Sequence, residues 1–211
     1  PLLTLLIASF QTDFLSEHPE WTLSHYAEAF TQGASVKMLY NSLVYGLWTT
    51  VCSMVVGVGI AWLFIRTNTP FKTFALLSSL VPMIIPGILN TIAWIFLASP
   101  QIGILNNAAE FLIGQRPFNV YSMPGMVFVQ SIHFMPVAFI MAVAVFSSMD
   151  SSMEEAALAS GANQAQAFGS ITARLAMPGL FSAALLLFVE TISSFEVPQL
   201  LGVPNKIYVF V

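Results

Sequence analysis

Charged residues are so sparse in this chain that the gaps between them set its architecture. No Asp, Glu, Lys or Arg occurs in the 28 residues between Lys37 and Arg66, the 37 between Lys72 and Glu110, or the 33 between Arg116 and Asp150. A further 15 separate Arg174 from Glu190, and the apolar run continues towards Pro198. A helix of about 20 mostly apolar residues crosses a bilayer. The gaps therefore place four complete spans near 39–65, 74–98, 123–147 and 177–197. Only 8 % of the 211 residues are charged and 57 % are hydrophobic, whereas a soluble domain carries about 25 % charge. A soluble surface cannot be covered on that composition, and the same apolar content excludes disorder. The fold class is an all-α membrane protein, a polytopic helical bundle.

Glycine and proline within the spans (Gly57, Gly59, Pro82, Pro86, Gly87 and Pro136) do not forbid helix, because neighbouring helices resatisfy freed backbone groups. Pro82 and Pro86 should kink the second span, and Gly46, Gly57 and Gly59 should allow close helix packing. Pro1–Ala8 reads as the tail of one partial span and Ile207–Val211 as the start of another, so residues 1–211 form one transmembrane domain read as a fragment. Thr22–Phe30 carries a helix signal with Leu23, Tyr26 and Phe30 on one face. The six basic residues are scattered, which excludes a nucleic-acid footprint. Cys52 stands alone, which excludes an internal disulfide and a cysteine-built metal site.

The longest polar loop, 148–176, holds eight alanines and only Asp150, Glu154, Glu155 and Arg174 as charges. Ser152 followed by Glu155 is a capping box that starts a helix near Met153. Gly161 is placed to end it in a left-handed turn, and Asn163 to cap a second short helix through Phe168. Two readings fit this pattern: a surface that docks another protein, or an amphipathic connector on the lipid interface.

The spacing Glu155-Ala156-Ala157, Gly161 and Ile171 resembles the cytoplasmic E-A-A loop of permease subunits of type I ATP-binding-cassette importers. Pro178 matches a common family proline, whereas Ala173 and Arg174 stand where the family usually has Leu-Pro. Arg66–Pro70, Ser99–Asn106 and Ser194–Gly202 are similar to turns of the ferric-iron branch. The resemblance implies the type I permease fold and places 148–176 in the cytoplasm as a coupling loop, with Glu155, Ala156, Ala157, Gly161, Phe168 and Ile171 as its residues. It implies cytoplasmic ABC ATPase subunits, an external substrate-binding protein and a second permease half as partners, in the lipid bilayer of a bacterial inner membrane. Span parity then puts 11–38, 99–122 and 198–206 outside. Charge alone leaves the orientation tied.

No glycine is followed by lysine, so a P-loop of the usual form is absent from the sequence. The expectation is a non-catalytic component with no catalytic residues, no metal site and no cofactor of its own, ATP and Mg belonging to the partner ATPase. The expected substrate is ferric iron, with spermidine, thiamine or a phosphonate as alternatives. Glu190 and Glu196 are the candidate pathway residues, since intramembrane acids default to function. A secondary carrier or channel using Glu190 and His133 is the rival class. Otherwise His133 is a satisfied packing residue.

Overall fold

The computed structural model describes residues 2–11, 21–31, 33–67, 72–150 and 152–210. The Asn68–Pro70 part of the first branch-like turn lies outside them. The order is α1 (Leu2–Ser9), α2 (Ser24–Thr31), α3 (Gly33–Arg66), α4 (Lys72–Ile84), α5 (Gly87–Ala98), α6 (Ile104–Ile113), α7 (Met123–Ser147), α8 (Ser152–Ala159), α9 (Gln164–Ala167) and α10 (Ala173–Ile192). A π-helical turn, Phe168–Thr172, joins α9 to α10, and a second, Pro198–Gly202, follows α10. The fold is all-helical, with no strand among the described residues.

Among the described residues, three helices are long and apolar enough to cross a membrane: Gly33–Arg66, Met123–Ser147 and Phe168–Ile192. The expected second span, 74–98, is instead two helices of 13 and 12 residues. The physical reason is Pro86. It has no N–H to donate and disfavours helix at Ile85, and its own backbone is extended at φ −53°, ψ 136°. Pro82 stays inside α4, so the expected kink is a break placed at Pro86. The fourth span also moves. It begins at Phe168 and ends at Ile192, leaving 193–197 outside the helix and carrying the second loop helix into the span without a stop at Phe168. Ile207–Phe210, expected to begin another span, is not helical. It runs beside α3, where the Asn41 amide donates to Tyr208 O at 3.0 Å and Phe210 N donates to Ser42 Oγ at 2.8 Å.

Helix starts follow local chemistry. Ser122 caps α7 by accepting from Gly125 N at 3.2 Å, with proline in the first turn. The 25 residues of α7 rise about 37 Å and the 34 of α3 about 50 Å, so α3 overreaches a hydrocarbon core of about 30 Å. These two helices and α10 pack through glycine. A Cβ on Gly57 would lie 2.6 Å from Ala138 Cβ and 2.8 Å from Phe139 N, and one on Gly179 2.7 Å from Val145 Cγ2. Gly46 meets Phe188 and Ile192 of α10 in the same way. Gly59 is exposed with nothing within 4 Å, so its expected packing role is corrected.

Two apolar clusters fill the bundle. Tyr45, Val120, Met126, Val129, Val197 and Leu201 form one near the Ser122 end of α7, and Ala61, Phe139, Ala142, Phe146 and Ala176 the other near its Ser147 end. Buried polar side chains sit between helices: Thr49, Ser53, Gln130, Ser131 and Thr191. The outer faces carry exposed Leu47, Val55 and Phe181. That distribution suits a lipid surround, which tolerates apolar exposure that water would not.

Candidate functional site

Two places bear on function. One is the loop between α7 and α10. The chain leaves α7 under Arg66, the last residue of α3, whose Nη2 lies 3.4 Å from the carbonyl oxygens of Phe146 and Met149. A cation there meets the orphan carbonyls and negative dipole end of α7. The helix α8 starts at Ser152, and the Asp150 carboxylate accepts from Ser152 N at 2.9 Å. That backbone bond first, then the Ser152 hydroxyl and the nearby Arg66 charge, hold the Asp150 pKa below its ordinary value.

Gly161 adopts φ +92°. Gly161 N donates to Leu158 O at 3.0 Å and Ala162 N to Ala157 O at 3.1 Å, the paired bonds of a Schellman stop. The next helix opens on a reciprocal box, Gln166 N to Asn163 Oδ1 at 2.8 Å and Asn163 N to Gln166 Oε1 at 3.0 Å. Of the sequence-selected residues, Glu155, Ala156 and Gly161 are exposed and Ala157 and Ile171 half-buried. Phe168 is half-buried and packs edge-on to Trp62 of α3, ring centroids 5.2 Å apart. It anchors the loop to the bundle, while α8 and the Gly161 turn face outward.

The second place is polar and lies among α3, α5, α7 and the segment after α10. Gln130 Oε1 accepts from Tyr45 OH at 3.0 Å. The Ser194 hydroxyl lies 3.3 Å from that oxygen and 3.2 Å from Glu196 Oε2, its one proton serving either. The break at Pro86 brings Gly87 against this chain: a Cβ there would lie 3.3 Å from Glu196 Oε1 and 3.6 Å from His133 Nε2. Glu196 thus sits at the N-terminus of α5, where free N–H groups favour an anion. The Nδ1 of His133 and the Nδ2 of Asn90, one turn along α5, are buried without a hydrogen-bond partner. The satisfied packing histidine expected at 133 is therefore not what forms. Unpaired buried polar atoms are costly, which makes this cluster a candidate place for binding a polar group.

Glu190 is placed otherwise. It is exposed in the last turn of α10, outside this cluster. The structure separates the two acids that the sequence offered together, bringing Glu196 to His133 and leaving Glu190 on the outside. Sequence reasoning missed Tyr45, Gly87, Asn90, Gln130 and Ser194. The available signal was Gln130 and His133, three apart on one helix face in a run whose only other polar residue before Ser147 is Ser131, with Gly87 directly after Pro86. Among the described residues, no group of three or more His, Cys, Asp or Glu comes together to hold a metal.

The chain as a whole is similar to known proteins. The chain is 26 % identical to the inner membrane ABC transporter permease protein YdcU of Escherichia coli (strain K12), over 97 % of this chain and 70 % of that one. It is 27 % identical to the ferric transport system permease protein FbpB of Actinobacillus pleuropneumoniae, over 85 % of this chain but 27 % of the relative. It is also 27 % identical to the trehalose transport system permease protein SugB of Mycobacterium tuberculosis (strain CDC 1551 / Oshkosh), over 80 % and 56 %. The fold matches a chain of a bacterial ABC transporter involved in the import of the acidic polysaccharide alginate, with a TM-score of 0.71 at 15 % identity, covering 100 % of this chain and 71 % of that one. The relatives carry ferric and sugar substrates alike, so the ferric branch expected from the turns is not singled out. The model of the binding-protein-dependent transport system inner membrane component matches residues 33–208; with most of its length so matched and three membrane-capable helices, the chain belongs to that family of multi-pass permeases of type I ABC importers.

Proposed function

We propose that this chain forms one transmembrane half of an importer in the bacterial inner membrane, driven by separate ATPase subunits that grip α8 and the Gly161 turn from the cytoplasm. The observation that carries this reading is the loop's construction. Its two turns are closed by bonds between residues no more than five apart, so it is stiff by itself. Its outward face mixes small residues with one charge, with Glu155, Ala156, Ala159 and Gly161 exposed. ATP biases the inward and outward states only through differential affinity for them, so the contact that transmits it must be rigid. Arg66 and Phe168 tie the loop to α3 and pass its displacement to the bundle. An external binding protein delivers substrate at the opposite end, and a second permease half completes the path.

The Glu196–His133 cluster is the substrate-facing part of this half. It presents a carboxylate, an imidazole and amide groups, a set that suits a cationic or polyhydroxylated solute better than an anion. Ferric iron remains our first substrate, met in passing and not caged, with a sugar as the second reading because sugar permeases stand among the relatives. The carrier reading built on Glu190 is not retained, because that residue is exposed near a helix end and the family is binding-protein-dependent.

The test is Gly161→Val. With φ at +92° the substitution costs about 1–2 kcal/mol of local strain and adds bulk on the docking face. The expected outcome is loss of ATPase retention in a pull-down and loss of uptake, with the permease still inserted at normal yield. Full retention and full uptake would overturn the coupling role of this loop.

A further inference from the structure

The hairpin at the Ser122 end of α7 contains a helix whose exposed face is unlike a water-facing surface. Phe111, Leu112 and Ile113 of α6 are 90 %, 77 % and 64 % exposed, and Ile104 is 61 % exposed. At 100° per residue, Asn106, Asn107 and Glu110 share an arc of about 100°. Ile104, Leu105, Ala108, Phe111, Leu112 and Ile113 fill the opposite arc of about 200°, with no polar side chain among them.

The helix is not loosely hung. Asn106, fully buried, donates to Ser99 O at 2.9 Å and Phe118 O at 2.8 Å and accepts from Phe118 N at 3.0 Å. Gly114 turns the chain back at φ +70°. Arg116 pairs with Glu110 at 2.7 Å and donates to the carbonyls of Pro100 and Gln101 at 3.0 Å. These bonds fix α6 between the end of α5 and the start of α7, a helix long and apolar enough to cross a membrane. They also gather both charges on the polar side.

We propose that α6 lies in the headgroup–acyl boundary of the bilayer at this end of α7, its apolar arc turned into lipid, and anchors the Ala98 end of the broken α4–α5 pair. Three observations favour lipid over a protein partner. The neighbouring helices also expose large apolar side chains, Phe96 of α5 at 57 % and Phe128 of α7 at 50 %. A protein interface wants about one hydrogen bond per 100–200 Å², and this arc offers no side-chain donor or acceptor. Its backbone is internally bonded, the condition for contact with hydrocarbon. The inference needs only a membrane protein and does not rest on the coupling role of the loop.

The test uses the full-length permease in vesicles of phosphatidylethanolamine and phosphatidylglycerol. Spin labels are placed at Leu112→Cys and at Asn107→Cys in a Cys52→Ser background, and collisions with oxygen and with a water-soluble nickel chelate are compared. The label at 112 is expected at a depth of about 5–10 Å, favouring oxygen, while the label at 107 favours nickel. Nickel reaching both labels equally would put α6 in water and overturn the proposal. Neither reagent reaching 112 would mean that protein covers it, which overturns the proposal as well. Leu112 and Asn107 are both exposed, so the labels do not disturb packing. Phe111→Trp gives an independent reading: quenching by brominated lipid beyond that of the native tryptophans is expected, and its absence counts against the proposal.

Discussion

The two ends of α7 are finished by opposite means. At the Ser147 end the turns close on themselves, with Gly161, Ala162, Asn163 and Gln166 bonding to partners three to five residues away. Arg66 and Phe168 link this end to α3. At the Ser122 end the chain is stitched over distance. Asn106 joins residues 99 and 118, Asn205 donates to Tyr121 O at 2.6 Å, and Asn41 and Ser42 hold the segment 208–210. A locally closed element keeps its shape when displaced as a unit. A cross-stitched one moves only by breaking bonds between distant parts. The contrast is what the coupling role proposed for the loop requires, with the opposite end giving a fixed frame to the polar cluster.

The comparison breaks first at the seam that both ends share. Gly57→Leu forces α3 from α7, because even a Cβ there lies 2.6 Å from Ala138. A cost of about 3 kcal/mol or more should appear as loss of monodisperse protein in detergent. Gly59→Leu, with open space around it, should stay within about 0.5 kcal/mol of the parent.

Asn106→Leu attacks the stitched end alone. It leaves Ser99 O, Phe118 O and Phe118 N without their side-chain partner, a loss of about 2–3 kcal/mol. The melting temperature should fall, and the amides of 99–122 should exchange faster while those of 152–172 do not. Equal loosening of both ends would show that they are not independent.

Glu196→Gln sharpens the middle of the comparison. It keeps the shape and the contact with Ser194 while removing the charge that faces Gly87 and His133. Uptake should fall several-fold with ATPase retention intact, whereas Glu190→Gln should transport normally. The reverse result would return the pathway role to Glu190.

The smallest effect is at Asp150. Its pKa is depressed in the folded state, chiefly by the bond from Ser152 N. The contribution to α8 is complete above the ordinary aspartate pKa of about 3.9 and is lost as pH falls through the lowered value. Between pH 5 and 8 exchange protection in 152–159 should show no Asp150 titration. Asp150→Asn should weaken the first turn slightly across that range, because a neutral acceptor replaces a charged one.

The sequence by itself determined the elements whose signals are local or compositional. Charge-free runs marked α3 and α7, since taking charge into a bilayer is prohibitive. Gly161 and Asn163 announced their turns, since a left-handed residue and a side-chain cap act within a few residues. The family was legible in the same loop. Tertiary structure alone decided what became of Pro86, where a span became two helices and put Gly87 against Glu196. It also decided which acid turned inward, because Glu190 and Glu196 are alike as residues and differ only in what the ends of α5 and α7 place beside them. Hydrogen bonds such as Asn41 to Tyr208, formed between residues 167 positions apart, leave no periodic trace in the sequence. Their partners are set by the packing of whole helices, and the polar cluster and the stitched end exist only once that packing has formed.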